Sequence, residues 1–394
     1  MSIMKLLLVD NVHLYKDPQG NYYAPSIYSH AFLQRYLAVF EEVRFLGKAR
    51  PLREADKTKC LLVSGEGVEI TELPWYQGMG QMILKMPELL PAYRKASEGC
   101  GCCIYRIAQV ESFLAYLFRR RRIPYAVEMV NDPDSWSAMP GLVRKVSGRM
   151  SRKMIRHAIG ASFVTEKLLQ QRYAGGRKRK GYFEASYSSV ELEQSDIAAE
   201  PIRWQSAETF RIVHVANAIS NDMKGHKTLI DVAKRLADAG CRFEVIFIGH
   251  GDLTEEYREY AASLGLEKSV RFIGMISGKK SLLDKLRECH IMVFPSKSEG
   301  LPRTLIEAMA VGLPCLSTPV GGIPELIDSR YLFDPEDSKG FADEILRLVQ
   351  TPQELLEMSL RNLRKAREFN KADLGTKRTR FYGMLRKAAE TNMK

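Results

Sequence analysis

Short apolar runs alternate with helix-length amphipathic stretches twice along this chain, and that alternation restricts the fold more than any other feature. Runs of roughly four to eight Val, Ile, Leu and Phe residues are what strands buried on both faces look like, and a helix between two of them is the crossover a parallel sheet needs. In the first half the predicted strands fall at 5–9, 43–46, 59–63, 102–106, 125–130 and 158–164, with helices over 26–39, 79–95 and 110–121. Around 182–205 the periodicity fades into a polar stretch rich in Ser and Glu, read as a linker. A second series follows, with strands at 211–216, 243–248, 270–273, 291–294 and 315–317 and helices near 224–239, 255–264, 281–287 and 302–311. The last helix, 372–389, is basic and no strand comes after it. The pattern predicts an α/β chain of two Rossmann-like parallel-sheet domains, 1–200 and 201–372, with a closing segment at 373–394. At 394 residues the chain is also too long for a single hydrophobic core.

Bulk composition narrows the class further. With 45% hydrophobic and 27% charged residues the chain has the make-up of a soluble globular protein. Its seven cysteines are irregularly spaced; Cys100, Cys102 and Cys103 crowd together without a His or Cys partner at zinc-ligand spacing, so reduced thiols in a cytoplasmic protein are expected. Residues 1–10 are far short of a signal peptide's apolar region, and no run approaches the ~20 apolar residues that span a bilayer.

Charge is concentrated. Residues 119–180 hold 16 Lys and Arg against 4 Asp and Glu, a local +12 that equals the formal net charge of the whole chain. Lys145, Arg149, Arg152 and Arg156 recur at helical spacing, and Val143, Val146, Met150 and Met154 form what reads as the opposite stripe. A basic amphipathic helix suits an anionic membrane surface, and the same spacing also describes a solvated face over an ordinary core stripe. Nucleic acid is not expected, because no recognised binding module accompanies the charge.

Ligands of open parallel sheets bind beyond the carboxyl ends of the strands, so the loops there carry the chemistry. The richest runs from Phe294 to Ala310. Glu299 sits in its polar loop, Gly300 allows a turn, and Pro302 stands where a first helical residue is favoured. Arg303 and Glu307 follow one turn apart on a single helix face. Carboxylates accept hydrogen bonds from sugar hydroxyls, and a helix N-terminus suits a phosphate, so this loop fits a hydroxyl-rich ligand bearing phosphate. The alternative is a solvated helix start with an Arg303–Glu307 surface pair. Further turn glycines mark other strand ends: Gly20 beyond Asp10–His13, Gly249 and Gly251, Gly274, and the pair Gly321–Gly322.

Taken in order, Lys224-Gly-His-Lys-Thr-Leu-Ile230, Val245-Ile-Phe-Ile-Gly-His-Gly251, Val270-Arg-Phe-Ile-Gly274, the run 294–310 and Pro319-Val-Gly-Gly-Ile-Pro-Glu325 resemble the C-terminal domain of retaining glycosyltransferases of the GT-B fold, family GT4. The first half resembles that family mainly in architecture. The resemblance implies two domains facing a cleft, a closing helix that returns to the N-terminal domain, and a nucleotide-sugar donor, UDP- or GDP-linked, held mostly by the second domain. It implies that Glu307 meets the ribose hydroxyls, that Glu299 holds the transferred sugar, and that Lys224 meets the donor diphosphate. The main chain at Gly274 and Met275 would touch the base. Gly322 would add an N–H near the phosphates, with Gly300, Leu301 and Gly20 completing the donor side. His226 is read as structural.

Two departures stand out. Ala216-Asn217 occupies the place of a Gly-Arg pair usual in the family, which leaves Asn217 with only a neutral amide and Arg303 as the available substitute for the guanidinium. Where the family tends to carry a His after the strand ending near Val130, this chain reads Asn131-Asp132-Pro133. Either Asn131 takes sugar contacts on the acceptor side and Asp132 joins Glu299 and Lys224 as a catalytic candidate, or the two shape a Pro turn. Arg106 either binds an acceptor phosphate or pairs with a neighbour. Neither a cofactor nor a metal is expected. The expected partners are the donor and a glycan or polyprenyl-diphosphate-linked acceptor of bacterial surface polysaccharide or glycolipid synthesis. An epimerase on the same fold and a non-catalytic nucleotide-sugar-binding component of a polysaccharide complex are the alternatives. The expected location is cytoplasmic or peripheral on the inner face of the cell membrane.

Overall fold

A computed structural model describes residues 4–25, 27–57, 60–119, 123–135, 140–175, 180–205 and 209–393. The chain divides into two compact units, one of Met1–Pro133, Leu142–Tyr187 and Gly375–Lys394, the other of Asp134–Gly141 and Ser188–Leu374.

The first unit is built on β1 (Lys5–Lys16), β2 (Tyr22–Pro25), α1 (His30–Leu37), β3 (Glu42–Pro51), α2 (Glu54–Lys57), β4 (Cys60–Leu62), β5 (Val68–Leu73), α3 (Gly78–Leu84), α4 (Met86–Ala96), β6 (Cys102–Ile107), α5 (Val110–Phe118), β7 (Tyr125–Met129), α6 (Gly141–His157), β8 (Gly160–Phe163) and β9 (Phe183–Ser186). Its nine-stranded sheet has a parallel body in the order β5-β3-β1-β6-β7-β8-β9, and β2 and β4 join it antiparallel beside the far end of β1. The central strands β6 and β7 are buried along their whole length, which is why they read as continuous apolar runs. Cys102 and Cys103 are buried in β6, and all seven cysteines are free thiols.

Inside this unit lies a buried carboxylate. Glu128 on β7 is 5% exposed. Its Oε1 accepts from the hydroxyls of Tyr187 at 2.9 Å and Tyr382 at 2.6 Å, and its Oε2 accepts from the Tyr36 hydroxyl at 2.9 Å. Arg106 Nε lies 3.2 Å from Oε2, while the far end of the guanidinium pairs with Asp10, whose Oδ2 also takes the Tyr28 hydroxyl at 2.8 Å. Arg106 is therefore a buried structural cation, not a free acceptor-side group. Tyr382 comes from the last helix, so this cluster ties the end of the chain to β7.

The second unit holds β10 (Phe210–Ala218), α7 (His226–Asp238), β11 (Phe243–His250), α8 (Thr254–Ser263), β12 (Val270–Phe272), α9 (Lys279–Arg287), β13 (Ile291–Phe294), α10 (Arg303–Ala310), β14 (Cys315–Ser317), α11 (Ser338–Val349) and α12 (Pro352–Ala366). Its five strands are all parallel, in the order β12-β11-β10-β13-β14. The chain closes with α13 (Lys371–Met393), which starts in the second unit and passes into the first at Gly375.

Differences from the sequence reading have physical causes. The stretch 182–205 is not a loose linker: Phe183–Ser186 is the edge strand β9, and Val190, Leu192 and Ile197 are buried in a core cluster of the second unit. Apolar residues spaced this widely give no periodic signal, because their partners lie far away in sequence. The strand expected at 59–63 starts outside the described residues, and Arg120–Arg122 and Arg177–Arg179 of the basic window also lie outside them.

Removing Glu128 takes the shared acceptor from three hydroxyls in a dry interior and leaves Arg106 with Asp10 as its one carboxylate partner of the two. Glu128→Ala should cost about 3–5 kcal/mol in denaturant unfolding, whereas Tyr382→Phe, which deletes one donor and keeps the ring, should cost about 1 kcal/mol.

Candidate functional site

At the carboxyl edge of the second sheet, three loops meet through close backbone contacts. After β10 the chain makes a short turn, Asp222–Lys224, capped by the Asn221 side chain, and reaches Gly225 at φ 72°. A Cβ at Gly225 would stand 2.1 Å from the Pro295 carbonyl oxygen, so only glycine lets this loop lie against the one after β13. Lys297 N–H donates to the Met223 carbonyl at 2.8 Å across the same contact. From the other side, Gly321 at φ 54° would place a Cβ 2.1 Å from the Glu299 carbonyl oxygen. Its neighbour Gly322 donates its N–H to the Gly300 carbonyl at 2.6 Å. That bond corrects the expectation of a phosphate contact from Gly322, because its N–H is already used within the protein.

The loops present two carboxylates in opposite states. Glu299 is preset: its Oε1 accepts from Lys224 Nζ at 2.5 Å and Ser296 Oγ at 2.7 Å. Glu307, on α10, is 7% exposed, and among the described residues no hydrogen bond reaches either of its oxygens. The nearest cation, Arg303 Nη2, is 3.9 Å away. Burial raises the Glu307 carboxyl above its ordinary range, with Arg303 and Lys279 pulling the other way and Asp196 adding to the rise. A buried carboxylate without donors costs free energy unless a ligand supplies them. Pro302 caps α10 and Arg303 is its first residue, with a side chain 39% exposed.

Several residues here escaped the sequence reading. Lys279, at the start of α9, pairs with Asp196 at 2.5 Å and donates to the Glu191 carbonyl at 3.0 Å, close enough to act on Glu307. The one available hint was that Lys279 follows the β12 loop; nothing pointed to Asp196. Ser296 was passed over because a serine in a polar loop is unremarkable.

Other expected site residues are placed as follows. Asn217 is exposed at the end of β10, and Met275 is 53% exposed beside Gly274, whose carbonyl accepts from Gly249 N–H at 2.9 Å. Leu301 is half-buried against the core. Gly20 is the turn of the β1–β2 hairpin in the first unit, where Gly20 N–H meets the Asp17 carbonyl at 3.1 Å, and the turn accounts for its glycine. Asn131 lies half-buried in a bend after β7. Asp132 does not fit the catalytic role expected of it. Its side chain has no exposed surface, accepts the Tyr173 hydroxyl at 2.6 Å and pairs with Arg172. Among the described residues no group of three or more His, Cys, Asp or Glu side chains is arranged to hold a metal ion.

Residues 209–351 match the family described as glycosyl transferases group 1. Over that stretch the second unit is similar to group 1 glycosyltransferases. Over 377 residues the chain is 26% identical to Protein CapJ of Staphylococcus aureus, covering 93% of this chain and 92% of that one. It is 34% identical over 173 residues to the amylovoran biosynthesis glycosyltransferase AmsK of Erwinia amylovora, covering 41% of this chain and 42% of AmsK. Among solved structures, Anabaena HepE in complex with UDP-glucose superposes with a TM-score of 0.64 at 16% identity, covering 96% of this chain and 99% of that one. At that identity the likeness is one of fold, and the fold is GT-B.

Beneath the Lys224 turn of this unit, two histidines are fully buried. The rings of His214 and His226 meet edge to face at 4.6 Å, and His226 also stacks on Tyr257 at 5.3 Å. His214 Nδ1 lies 3.0 Å from the Val293 carbonyl oxygen, while both nitrogens of His226 lack a protein partner. Burial, with Lys224 nearby, lowers His226 from 6.5 to about 4. Burial and the His226 ring lower His214 as well. Below pH 6.5 the unfolded chain therefore takes up protons that the folded one refuses, and stability falls as pH drops towards about 4. His226 alone should account for roughly 3 kcal/mol of that loss. His226→Phe, which keeps the stacking, should flatten the slope in denaturant unfolding measured at stepped pH.

Proposed function

We propose that this protein is a retaining glycosyltransferase that moves a sugar from a UDP- or GDP-sugar to a glycan or lipid-linked acceptor in bacterial surface polysaccharide synthesis. The observation that carries the reading is the contrast between the two carboxylates: Glu307 is desolvated without a donor, and Glu299 is already oriented by Lys224 and Ser296. Ribose hydroxyls would supply the donors Glu307 lacks. The transferred sugar would meet the Oε2 of Glu299, for which no hydrogen bond appears among the described residues. The roles of similar proteins support the setting, since AmsK is a glycosyltransferase of amylovoran biosynthesis and HepE forms a complex with UDP-glucose.

In the proposed reaction the bond between the sugar's anomeric carbon and the diphosphate oxygen breaks, and a bond to an acceptor oxygen forms on the same face. The acceptor's proton passes to the departing diphosphate. Negative charge grows on that leaving group, and Lys224 is the cation placed to offset it, in a site whose low dielectric strengthens the effect. Asn217 offers no charge there. Arg303 is the second candidate, because its guanidinium is held only loosely by Glu307 and can grip a phosphate with two parallel hydrogen bonds.

Calorimetry with nucleoside diphosphates separates these roles. Glu307→Ala should weaken nucleotide binding by roughly 1–3 kcal/mol, while Glu299→Gln should leave it nearly intact and lower turnover of the nucleotide-sugar. Equal loss of nucleotide affinity in both variants would overturn the assignment. Arg303→Lys keeps the charge but loses the fork, and should reduce donor affinity by about tenfold; if Arg303 only makes a surface pair with Glu307, the change should stay under ~1 kcal/mol.

A further inference from the structure

The helix α6 exposes part of the apolar stripe that its sequence leads one to expect inside. Its buried residues are Ser147, Gly148, Ser151, Met154 and Ile155, three of them small. Val143 and Val146, expected in the inner stripe, are 42% and 52% exposed, and Leu142 is 72% exposed, whereas Met154 of that stripe is buried. At about 100° per residue, Leu142 and Val146 point directly away from the buried arc, beside Lys145, Arg149, Lys153 and Arg156, all exposed. The helix has no Asp or Glu, and among the described residues no ion pair engages Lys145, Arg149 or Arg156. Its outward face is thus apolar at the start and cationic throughout.

A second set of exposed apolar side chains, Met79, Ile83 and Leu84, lies on α3. The crossovers from β5 to β6, which contains α3 and α4, and from β7 to β8, which contains α6, run in one direction across the sheet. Right-handed crossovers then put these helices on the same face. Both apolar groups therefore belong to crossovers on that one face.

We propose that this face of the first unit docks on an anionic lipid bilayer, with Leu142, Val143 and Val146 inserted at the headgroup boundary and Lys145, Arg149, Lys153 and Arg156 on the lipid phosphates. Charge complementarity selects this occupant. A helix with four exposed cations and no acid, carrying bare aliphatic side chains, offers a protein partner unpaired charge but offers acidic headgroups and acyl chains both of their contacts. Among the described residues no helix is long and apolar enough to cross a membrane, so the contact is peripheral.

The test is flotation of the full chain with phosphatidylglycerol–phosphatidylcholine vesicles and with phosphatidylcholine alone, at low and high salt. The wild type should float with the anionic vesicles and be released as salt screens the contact. Leu142→Ser with Val146→Ser, and separately Lys145→Glu with Arg149→Glu, should each lower partitioning by about tenfold or more. All four positions are exposed, so thermal unfolding and nucleoside diphosphate affinity should stay at wild-type values, which separates a lost surface from a lost fold or a lost donor site. Absence of binding to anionic vesicles at low salt would overturn the proposal. So would equal binding to neutral ones, or wild-type binding by the serine variant. If the serine variant instead loses self-association in sedimentation while its vesicle binding is unchanged, the face is a contact between copies and the proposal fails.

Discussion

A carboxylate taken out of water must find hydrogen-bond donors or pay in free energy, and this protein meets that constraint in two different ways. At Glu128 it is met in full, by three tyrosine hydroxyls and a guanidinium drawn from β7's neighbours, from α1 and from the last helix. At Glu307 it is left unmet. Full satisfaction fixes a core, because each partner is held to one geometry. A buried carboxylate lacking donors, standing at the carboxyl edge of a parallel sheet, is instead the group to which the proposed function brings a ligand's hydroxyls.

The difference is enforced by backbone. Gly225 and Gly321 allow loops from three strand ends to touch main chain to main chain, and a single Cβ at either would collide with a carbonyl. The Lys224–Glu299 pair is therefore positioned by contacts that no side-chain rearrangement can easily relax. Rigid loops spare a ligand the entropy of ordering them, which suits the nucleotide and sugar proposed to bind here.

Much of this could be read from the chain itself, and the failures follow a pattern. The buried strands declared themselves because both faces of β6, β7, β10 and β13 are apolar. The glycines near Lys224 and Glu325 likewise marked loops that do converge. Half-exposed strands such as β5 and the edge strand β9 gave no such signal. Asp132 and Arg106 looked like ligand-facing polar groups, yet both are consumed by partners distant in sequence, Arg172 and Tyr173 for one and Asp10 and Glu128 for the other. In α6, Val143 and Val146 are exposed while Ser147, Gly148 and Ser151 are buried, so apolarity alone does not mark the inward side.

The route of α13 bears on how the protein is made. Synthesis releases the first unit's strands early, at about 5–20 residues per second, but Glu128 lacks the Tyr382 hydroxyl and Phe183 lacks the edge-to-face ring of Phe381 until the segments of the second unit have been made. Those segments all lie at or before Leu374. The domain translated first is thus the last to close, waiting on the ribosome with an unfinished interior while its partner folds behind it.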